Sequence, residues 1–191
     1  MSQKKKHIIT IAGKPASGKS TSAKLVASEL GYAHYSTGDL FREIAAEQSH
    51  DVLQANLHAE RDTTIDMKVD ERQRNLGITD DNFVIDARLG WHFIPTSFKV
   101  YLDLDTIHGA HRILESPDSD RQSKEDIPPH PEAYAEVLNE RLASETRRYK
   151  NLYNADGHDH TNFNLVVDTK SHTPEQVSAL IIEAFHGWIN N

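Results

Sequence analysis

Cysteine is absent from the 191-residue sequence. The chain therefore has no disulfide framework, no thiolate nucleophile and no cysteine-based zinc site. A long apolar run is also missing near the start, where the lysines at 4–6 precede only about five apolar residues. Such a run is too short for a signal peptide or a membrane span. We expect a cytoplasmic protein with no membrane partner.

An excess of positive charge is also lacking. The chain has 21 lysines and arginines against 29 aspartates and glutamates, and its formal net charge is −8. Proteins whose main task is to hold nucleic acid usually carry a basic surface, so this balance argues against a nucleic-acid partner. A negatively charged ligand would have to be held by individual arginines, and the positions of the arginines therefore become informative.

One short stretch carries a specific chemical signal. Residues 13–20 read GKPASGKS and match the P-loop pattern G-x-x-x-x-G-K-[ST]. In such a loop, glycines let backbone N–H groups face a phosphate, the lysine adds positive charge, and the final hydroxyl is available to Mg²⁺. A strand pattern precedes the loop and a helical pattern follows it, as the motif requires. The predicted phosphate-binding residues are Gly13, Lys14, Pro15, Ala16, Ser17, Gly18, Lys19, Ser20 and Thr21.

The apolar segments predict the fold. Five short segments are separated by helical patterns, which indicates a parallel sheet with crossover helices. We therefore predict one α/β domain over residues 1–191, with three α/β/α layers around a five-stranded parallel sheet. The predicted strands are 7–12, 32–36, 82–87, 98–104 and 164–169.

The final helix has the clearest pattern. Thr173 and Gln176 have the spacing of a capping box, and Pro174 lies in the first turn. One apolar face is then predicted at helical spacing. Its residues are Val177, Leu180, Ile181, Ala184, Phe185 and Trp188.

A second phosphate site is suggested by YSTGDLFR at 35–42, which follows the second predicted strand and opens a helix. A helix N-terminus exposes unpaired N–H groups at the positive end of its dipole, and Ser36 or Thr37 can cap it. Arg42 lies within about two turns of that start, where it could fork onto phosphate oxygens. An ordinary capped helix with a surface arginine explains the same residues equally well.

The stretch VIDARLG at 84–90 ends the third predicted strand. In open α/β sheets the ligand crevice lies beyond the carboxyl ends of the strands, where Asp86 and Arg88 fall. Asp86 could hold Mg²⁺ through water, and Arg88 could hold an acceptor phosphate. Ala87 stands where a hydrolytic motor would usually place a glutamate base, which argues against an ATPase. An N-K-x-D stretch that reads guanine is absent, which argues against a GTPase switch.

These motifs follow one another in an order that resembles the nucleoside monophosphate kinases. The P-loop, STGDLFRE, IDMKVDERQ, VIDARLGW, RRYKNLY and NLVVDTKSHTPEQV carry the resemblance, which covers nearly the whole chain apart from about 116–135. TGD-x-x-R is shared with adenylate kinases. The ID-x-x-x-D-x-RQ, D-A-R-L and R-Y-x-x-x-Y stretches are most similar to the short cytidylate kinases of archaea and some bacteria. The resemblance implies ATP- and Mg²⁺-dependent phosphoryl transfer to CMP or dCMP by a monomer.

The resemblance also implies roles for single residues. Lys19 would act on the transferring phosphoryl group, and Ser20 would bind Mg²⁺ together with Asp86. Asp66 lies in a helical insert, about 37–76, that would close over the acceptor base. The implied acceptor-binding residues are Ser36, Thr37, Gly38, Arg42, Asp66 and Arg88.

Two further arginines are candidate catalytic residues beside Lys19 and Arg88. Arg141 and Arg148 are seven residues apart on a predicted helix, so they share a face about 10.5 Å apart. Glu145 lies between them and could orient both. The two arginines could neutralise charge on the transferring phosphoryl group or form a solvated salt-bridge stripe. The family resemblance favours the catalytic role.

The sequence departs from the family pattern in two places. Lys14 and Ala16 replace the proline and glycine that are more usual inside the P-loop. The predicted lid, about 116–131, is longer and richer in proline than a compact family lid. Arg112, Arg121 and Lys124 flank or occupy this loop and are secondary candidates for neutralising charge on the transferring phosphoryl group.

Other interpretations stay open. The pairs His108 with His111 and His158 with His160 could each supply two metal ligands, but the spacing reveals no third. Adenylate kinase and a kinase of another small metabolite are alternatives within the same class. A nucleotide-binding regulatory protein without turnover is the alternative from a different class.

Overall fold

The computed structural model describes residues 5–47, 64–115 and 127–191. All five predicted strands are present, and each lies within one or two residues of its predicted bounds. Their carboxyl ends carry the P-loop, Ser36, Asp86 and Asp103. The strands are β1 (Ile8–Gly13), β2 (Ala33–Ser36), β3 (Phe83–Asp86), β4 (Phe98–Asp103) and β5 (Leu165–Asp168).

The strands form one parallel sheet in the order β2-β3-β1-β4-β5. The central strand β1 pairs with β3 on one side and β4 on the other, so the strand order reverses at β1. Ligands bind at such reversals, outside the carboxyl ends of the strands. The sheet therefore places the P-loop, which follows β1, at the expected crevice. The predicted fold class is confirmed.

Seven helices lie among the described residues, together with a 3-10 turn at His160–Asn162. We number them in chain order, and the short α4 follows β3 directly. The helices are α1 (Lys19–Leu30), α2 (Thr37–Glu47), α3 (Thr64–Thr79), α4 (Gly90–Phe93), α5 (Thr106–Glu115), α6 (Pro131–Tyr153) and α7 (Pro174–Asn190).

Apolar side chains fill both faces of the sheet. On one face, Ile9 and Val84 pack in a cluster with Val26 of α1 and Phe185 of α7. On the other face, Ile8 and Phe83 pack in a cluster with residues of α2, α3 and α4. Successive residues of a strand point to opposite faces, which explains why the strands read as continuous apolar runs. The three-layer arrangement follows from this double burial.

The final helix begins as predicted, with the complete capping box between Thr173 and Gln176. Val177, Ile181 and Phe185 form its buried stripe. The prediction is wrong for Leu180, whose surface is 38% exposed. Leu180 precedes Ile181 by one residue, which is about 100° around the helix, so it lies at the edge of the stripe.

Within the predicted insert of 37–76, the described residues belong to α2 and α3, which pack against each other, and residues 48–63 lie outside the described residues. Helix α3 extends to Thr79, three residues beyond the predicted end. Residues 116–126 of the predicted lid lie outside the described residues, and α6 begins at Pro131. Among the residues that the structure describes, none of the helices could cross a membrane.

Candidate active site

The P-loop runs from the end of β1 to the start of α1. A side chain at Gly13 would place its Cβ only 2.3 Å from the carbonyl oxygen of Leu102 on β4, so glycine is required there. Gly18 takes the N-cap position of α1 with a φ of 85° and without a side-chain cap. Left-handed backbone favours glycine, and an uncapped helix start leaves N–H groups for an anion. The loop therefore fits a phosphate.

The backbone carbonyl of Lys14 closes the loop. It accepts hydrogen bonds from the Ser17 hydroxyl at 2.8 Å and from the Ser17 N–H at 3.3 Å. It also accepts one from the Lys19 ammonium at 3.0 Å. Burial, and secondarily the positive charge of Arg88, lowers the pKa of Lys19 to about 8. A phosphate beside this ammonium would stabilise its charged form.

Both departures from the family P-loop have a structural correlate. The Lys14 ammonium lies 2.8 Å from a carboxylate oxygen of Asp103, at the end of β4. Ala16 has a φ of 59°, in the left-handed region where a residue with Cβ is disfavoured. Lys14 is therefore part of an ion pair in this structure, and Ala16 occupies a backbone conformation that suits glycine better.

Hard oxygen ligands for a cation converge at the start of α1. Asp86 ends β3, and the Ser20 hydroxyl is close enough to hydrogen-bond its carboxylate. His34 of β2 is the second partner of the Asp86 carboxylate, and its Nε2 lies 3.1 Å from Oδ2 of Asp86. Burial raises the pKa of Asp86, and the contact with His34 opposes that shift. A hydroxyl and a carboxylate next to a phosphate loop fit Mg²⁺, which binds through few protein oxygens, water and substrate phosphates.

The predicted second phosphate site lies at the start of α2. The Ser36 hydroxyl accepts from the Asp39 N–H at 3.0 Å and donates to the Asp39 carboxylate at 2.7 Å, so it caps the helix. The Thr37 hydroxyl donates weakly to the Asp86 carbonyl at 3.5 Å, which joins α2 to the end of β3. Gly38 is exposed in the first turn. Capping by Ser36 is confirmed, and its role toward a substrate stays a prediction.

Arg42 and Asp66 belong to α2 and α3, but their side chains lie outside what the structure describes. Their predicted roles in acceptor binding therefore stay predictions. The helices that carry them pack against each other, which places both residues on the same insert.

Arg88 and Arg141 meet at one carboxylate. Arg88 follows β3, and its Nη1 donates to Oε1 of Glu145 on α6. Arg141 donates through Nε to the same oxygen at 3.3 Å. The guanidinium of Arg148 lies over the ring of Tyr149, with its central carbon 5.3 Å from the ring centroid. Two of the predicted catalytic arginines thus lie together.

Arg112 of α5 links the P-loop to the segment after β5. It donates to the Ala16 carbonyl at 3.3 Å and to the backbone carbonyl of Thr169. Arg112 is only a secondary candidate in the sequence analysis. Its contact with the P-loop depends on how α5 packs, which the sequence pattern does not show. Gly109 of the same helix would bring a Cβ within 3.2 Å of the Pro15 carbonyl.

Three contacts of the site were missed at the sequence level. These are the pairs of Asp103 with Lys14, of His34 with Asp86 and of Glu145 with Arg88. The rule that ligands lie beyond strand ends could have indicated Asp103, which ends β4. No signal in the sequence connects Glu145 to Arg88, because the two lie 57 positions apart.

One histidine of each predicted pair has a protein partner in the structure. His108 pairs with Asp105 at 2.6 Å, and His158 contacts the hydroxyl of Tyr101 at 2.7 Å. Over 5–47, 64–115 and 127–191, no group of three or more potential ligands could hold a metal ion.

The sheet order, the loop after β1 and the cluster of basic residues beyond the strand ends define a P-loop phosphotransferase. A family model described as an AAA domain matches residues 12–126. The sequence is 34% identical to the cytidylate kinase of Haloquadratum walsbyi, over 91% of this chain and 88% of the relative. It is 35% identical to that of Natronomonas pharaonis, over 95% and 90%. The chain belongs to the cytidylate kinase family.

Solved structures support the fold independently. An uncharacterized protein from Eubacterium ventriosum matches with a TM-score of 0.67 at 15% identity, over 96% of this chain and 98% of that one. The shikimate kinase of Aquifex aeolicus matches with a TM-score of 0.58 at 18% identity, over 94% and 96%. Likeness at this identity concerns the fold alone.

Proposed function

We propose that this protein is an ATP-dependent cytidylate kinase, which converts CMP or dCMP and ATP into the diphosphate and ADP. The proposal is carried by one arrangement, in which Arg88 and Arg141 meet at Glu145 beyond the end of β3 and their charges act on the P-loop Lys19. A loop that fits one phosphate thus adjoins arginines that could bind another. The names of the relatives supply the identity of the acceptor.

The transfer needs little covalent help from the protein. A phosphate oxygen of CMP attacks the γ-phosphorus of ATP, and the bond from that phosphorus to the bridging oxygen breaks to release ADP. Catalysis is then mostly positioning and neutralisation of charge. The N–H groups and Lys19 of the P-loop would hold the ATP phosphates. Arg88, Arg141 and Arg148 would act on the transferring phosphoryl group and the acceptor.

Ser20 and Asp86 are the residues that would hold Mg²⁺. When bound, the ion would reduce the negative charge of the substrate phosphates. The proposal also includes an acceptor-binding insert over 37–76, with Ser36, Thr37, Gly38, Arg42 and Asp66, and a lid over 116–131. We further propose that the protein is a cytoplasmic monomer.

The proposed reaction is tested by ADP formation from ATP and Mg²⁺ with and without CMP. We expect ADP formation to depend on CMP, and CDP to appear in equal amount. ADP formation without any acceptor would indicate an ATPase. ATP binding without turnover on any acceptor would favour a regulatory nucleotide-binding protein. Because the relatives are named cytidylate kinases, we expect CMP-dependent turnover and neither of these alternatives.

A further inference from the structure

Glu145 is a charged residue in a buried position. Its side chain is only 9% exposed, although it lies in the middle of the long helix α6. A buried carboxylate is unfavourable unless it is paired and hydrogen-bonded. Its neighbours Ser144 and Arg147 are exposed, so the helix turns this one acidic side chain toward the protein.

The partners of Glu145 are two of the arginines assigned to the reaction. A single carboxylate oxygen, Oε1, accepts from Nη1 of Arg88 and from Nε of Arg141. Arg88 lies beyond the end of β3, whereas Arg141 lies one turn earlier than Glu145 on α6. The carboxylate therefore joins the end of the sheet to the helix and offsets the repulsion between two guanidinium groups.

The same carboxylate belongs to the field around the P-loop lysine. Burial lowers the pKa of Lys19 most, Arg88 and Arg141 lower it further, and Asp86 and Glu145 raise it. Three positive groups and two carboxylates therefore lie near one another beyond the strand ends. They are Lys19, Arg88, Arg141, Asp86 and Glu145. Without Glu145, two guanidinium groups and an ammonium would face one another with Asp86 as the remaining carboxylate of this group.

We propose that Glu145 is a positioning residue for phosphoryl transfer, which holds Arg88 and Arg141 side by side before the acceptor phosphate arrives. This inference rests on the proposed function. A guanidinium has five N–H donors, and the contact of Arg88 with Glu145 uses Nη1, so other donors remain for a phosphate. Donors that are already oriented need no reorganisation during the reaction. Glu145 acts through the arginines and needs no contact with the nucleotide.

The substitution Glu145→Gln removes the charge and keeps the shape of the side chain. We expect kcat to fall about 10- to 100-fold, as for the loss of a charge-assisted hydrogen bond. Measured at about pH 7, where Lys19 stays charged, the KM for ATP should stay within about threefold. Glu145→Asp keeps the charge and should recover part of the lost kcat. Glu140→Gln, at an exposed position of the same helix, is the matched control and should leave kcat unchanged.

A double-mutant cycle shows whether Glu145 acts through Arg88. If it does, Glu145→Gln should have a clearly smaller effect on kcat in the Arg88→Ala background than in the wild type. An equal effect in both backgrounds would overturn the inference. So would a Glu145→Gln variant that melts at a lower temperature and yet keeps the wild-type kcat, because that result indicates a purely structural role.

The wild type separates failure of this inference from failure of the proposed function. A wild type that phosphorylates CMP, with a Glu145→Gln variant equally fast, would overturn the inference alone. A wild type that transfers phosphate to no nucleoside monophosphate would overturn the proposed function, and with it the positioning role.

Discussion

The Lys19 ammonium lies 3.0 Å from the backbone carbonyl oxygen of Lys14, within the same P-loop. A neutral carbonyl is a weaker partner for a cation than an anion is. Burial at this position lowers the pKa of Lys19 to about 8. The loop thus holds a cation that is only partly compensated, and the phosphates of ATP would compensate it fully.

Substitution of this lysine should separate catalysis from folding. We expect Lys19→Ala to reduce phosphoryl transfer at least about a hundredfold, because a charge-assisted contact that strengthens in the transition state is lost. The melting temperature should not fall, since burial of the charged amine opposes folding at neutral pH. Near-normal turnover of the folded variant would contradict the P-loop assignment. Thermal melts and ADP formation are the two measurements.

The pH dependence of ATP binding follows from the same group. In the free protein Lys19 loses its proton as the pH rises through about 8, below the ordinary value of 10.5. Bound phosphates favour the charged form, so ATP binding raises the pKa and takes up a proton. The affinity for ATP should weaken as the pH rises from about 8 to 9.5. The unfavourable effect of this lysine on folding stability should be full below about pH 8 and disappear toward 10.5.

Calorimetry in two buffers with different ionisation enthalpies measures the proton uptake directly. Uptake approaching one proton per ATP at pH 9, and little contribution from Lys19 at pH 7, is the expected result. A dissociation constant for ATP that is the same at pH 7 and pH 9.5 would show that Lys19 is not the titrating group.

Loss of Arg88 should impair use of the acceptor CMP more than it weakens the binding of ATP. We expect Arg88→Ala to reduce kcat/KM for CMP about ten- to a hundredfold, as for a lost contact between a guanidinium and a phosphate. The dissociation constant of ATP should change little, because the proposed site of the ATP phosphates is the P-loop. Arg147→Ala removes an exposed arginine of α6 and serves as the control for net charge. Equal weakening of ATP and CMP binding by Arg88→Ala would contradict its placement at the acceptor.

The last helix offers a matched pair for stability. Ile181 is fully buried, whereas the adjacent Leu180 is 38% exposed. Ile181→Ala should lower the free energy of unfolding by about 2–5 kcal/mol through the cavity that it leaves. Leu180→Ala should lower it by clearly less. Urea denaturation of both variants measures the difference, and equal losses would show that both side chains belong to the core.

Much of the fold could be predicted because its signals are local. Each strand is a short apolar run, and both faces of the parallel sheet are covered, so these runs need no alternation. Thr173 and Gln176 are likewise only three residues apart, and their capping-box spacing predicts the start of α7. Leu180 was misplaced because spacing alone does not fix where the edge of a buried stripe lies.

The parts of the site that could be predicted from local patterns are those whose residues lie close together in the sequence. The P-loop and the Ser36 cap are read from adjacent residues, and the structure places both at strand ends. The contact between Arg88 and Glu145 joins positions 57 apart, and the contact between Lys14 and Asp103 joins two strand ends. Such contacts depend on how α6 and β4 pack, which no local pattern encodes.

The central claim is that the acceptor is CMP or dCMP. A panel of nucleoside monophosphates tests this claim most directly. ADP formation should be measured with ATP and Mg²⁺ and each of CMP, dCMP, UMP, AMP and GMP. The insert must provide a pocket that pairs the cytosine amino group and excludes a purine by size, since unpaired buried polar groups give large discrimination. We predict that CMP and dCMP are phosphorylated best, UMP more weakly, and AMP and GMP poorly. A clear preference for AMP would contradict this account and indicate an adenylate kinase.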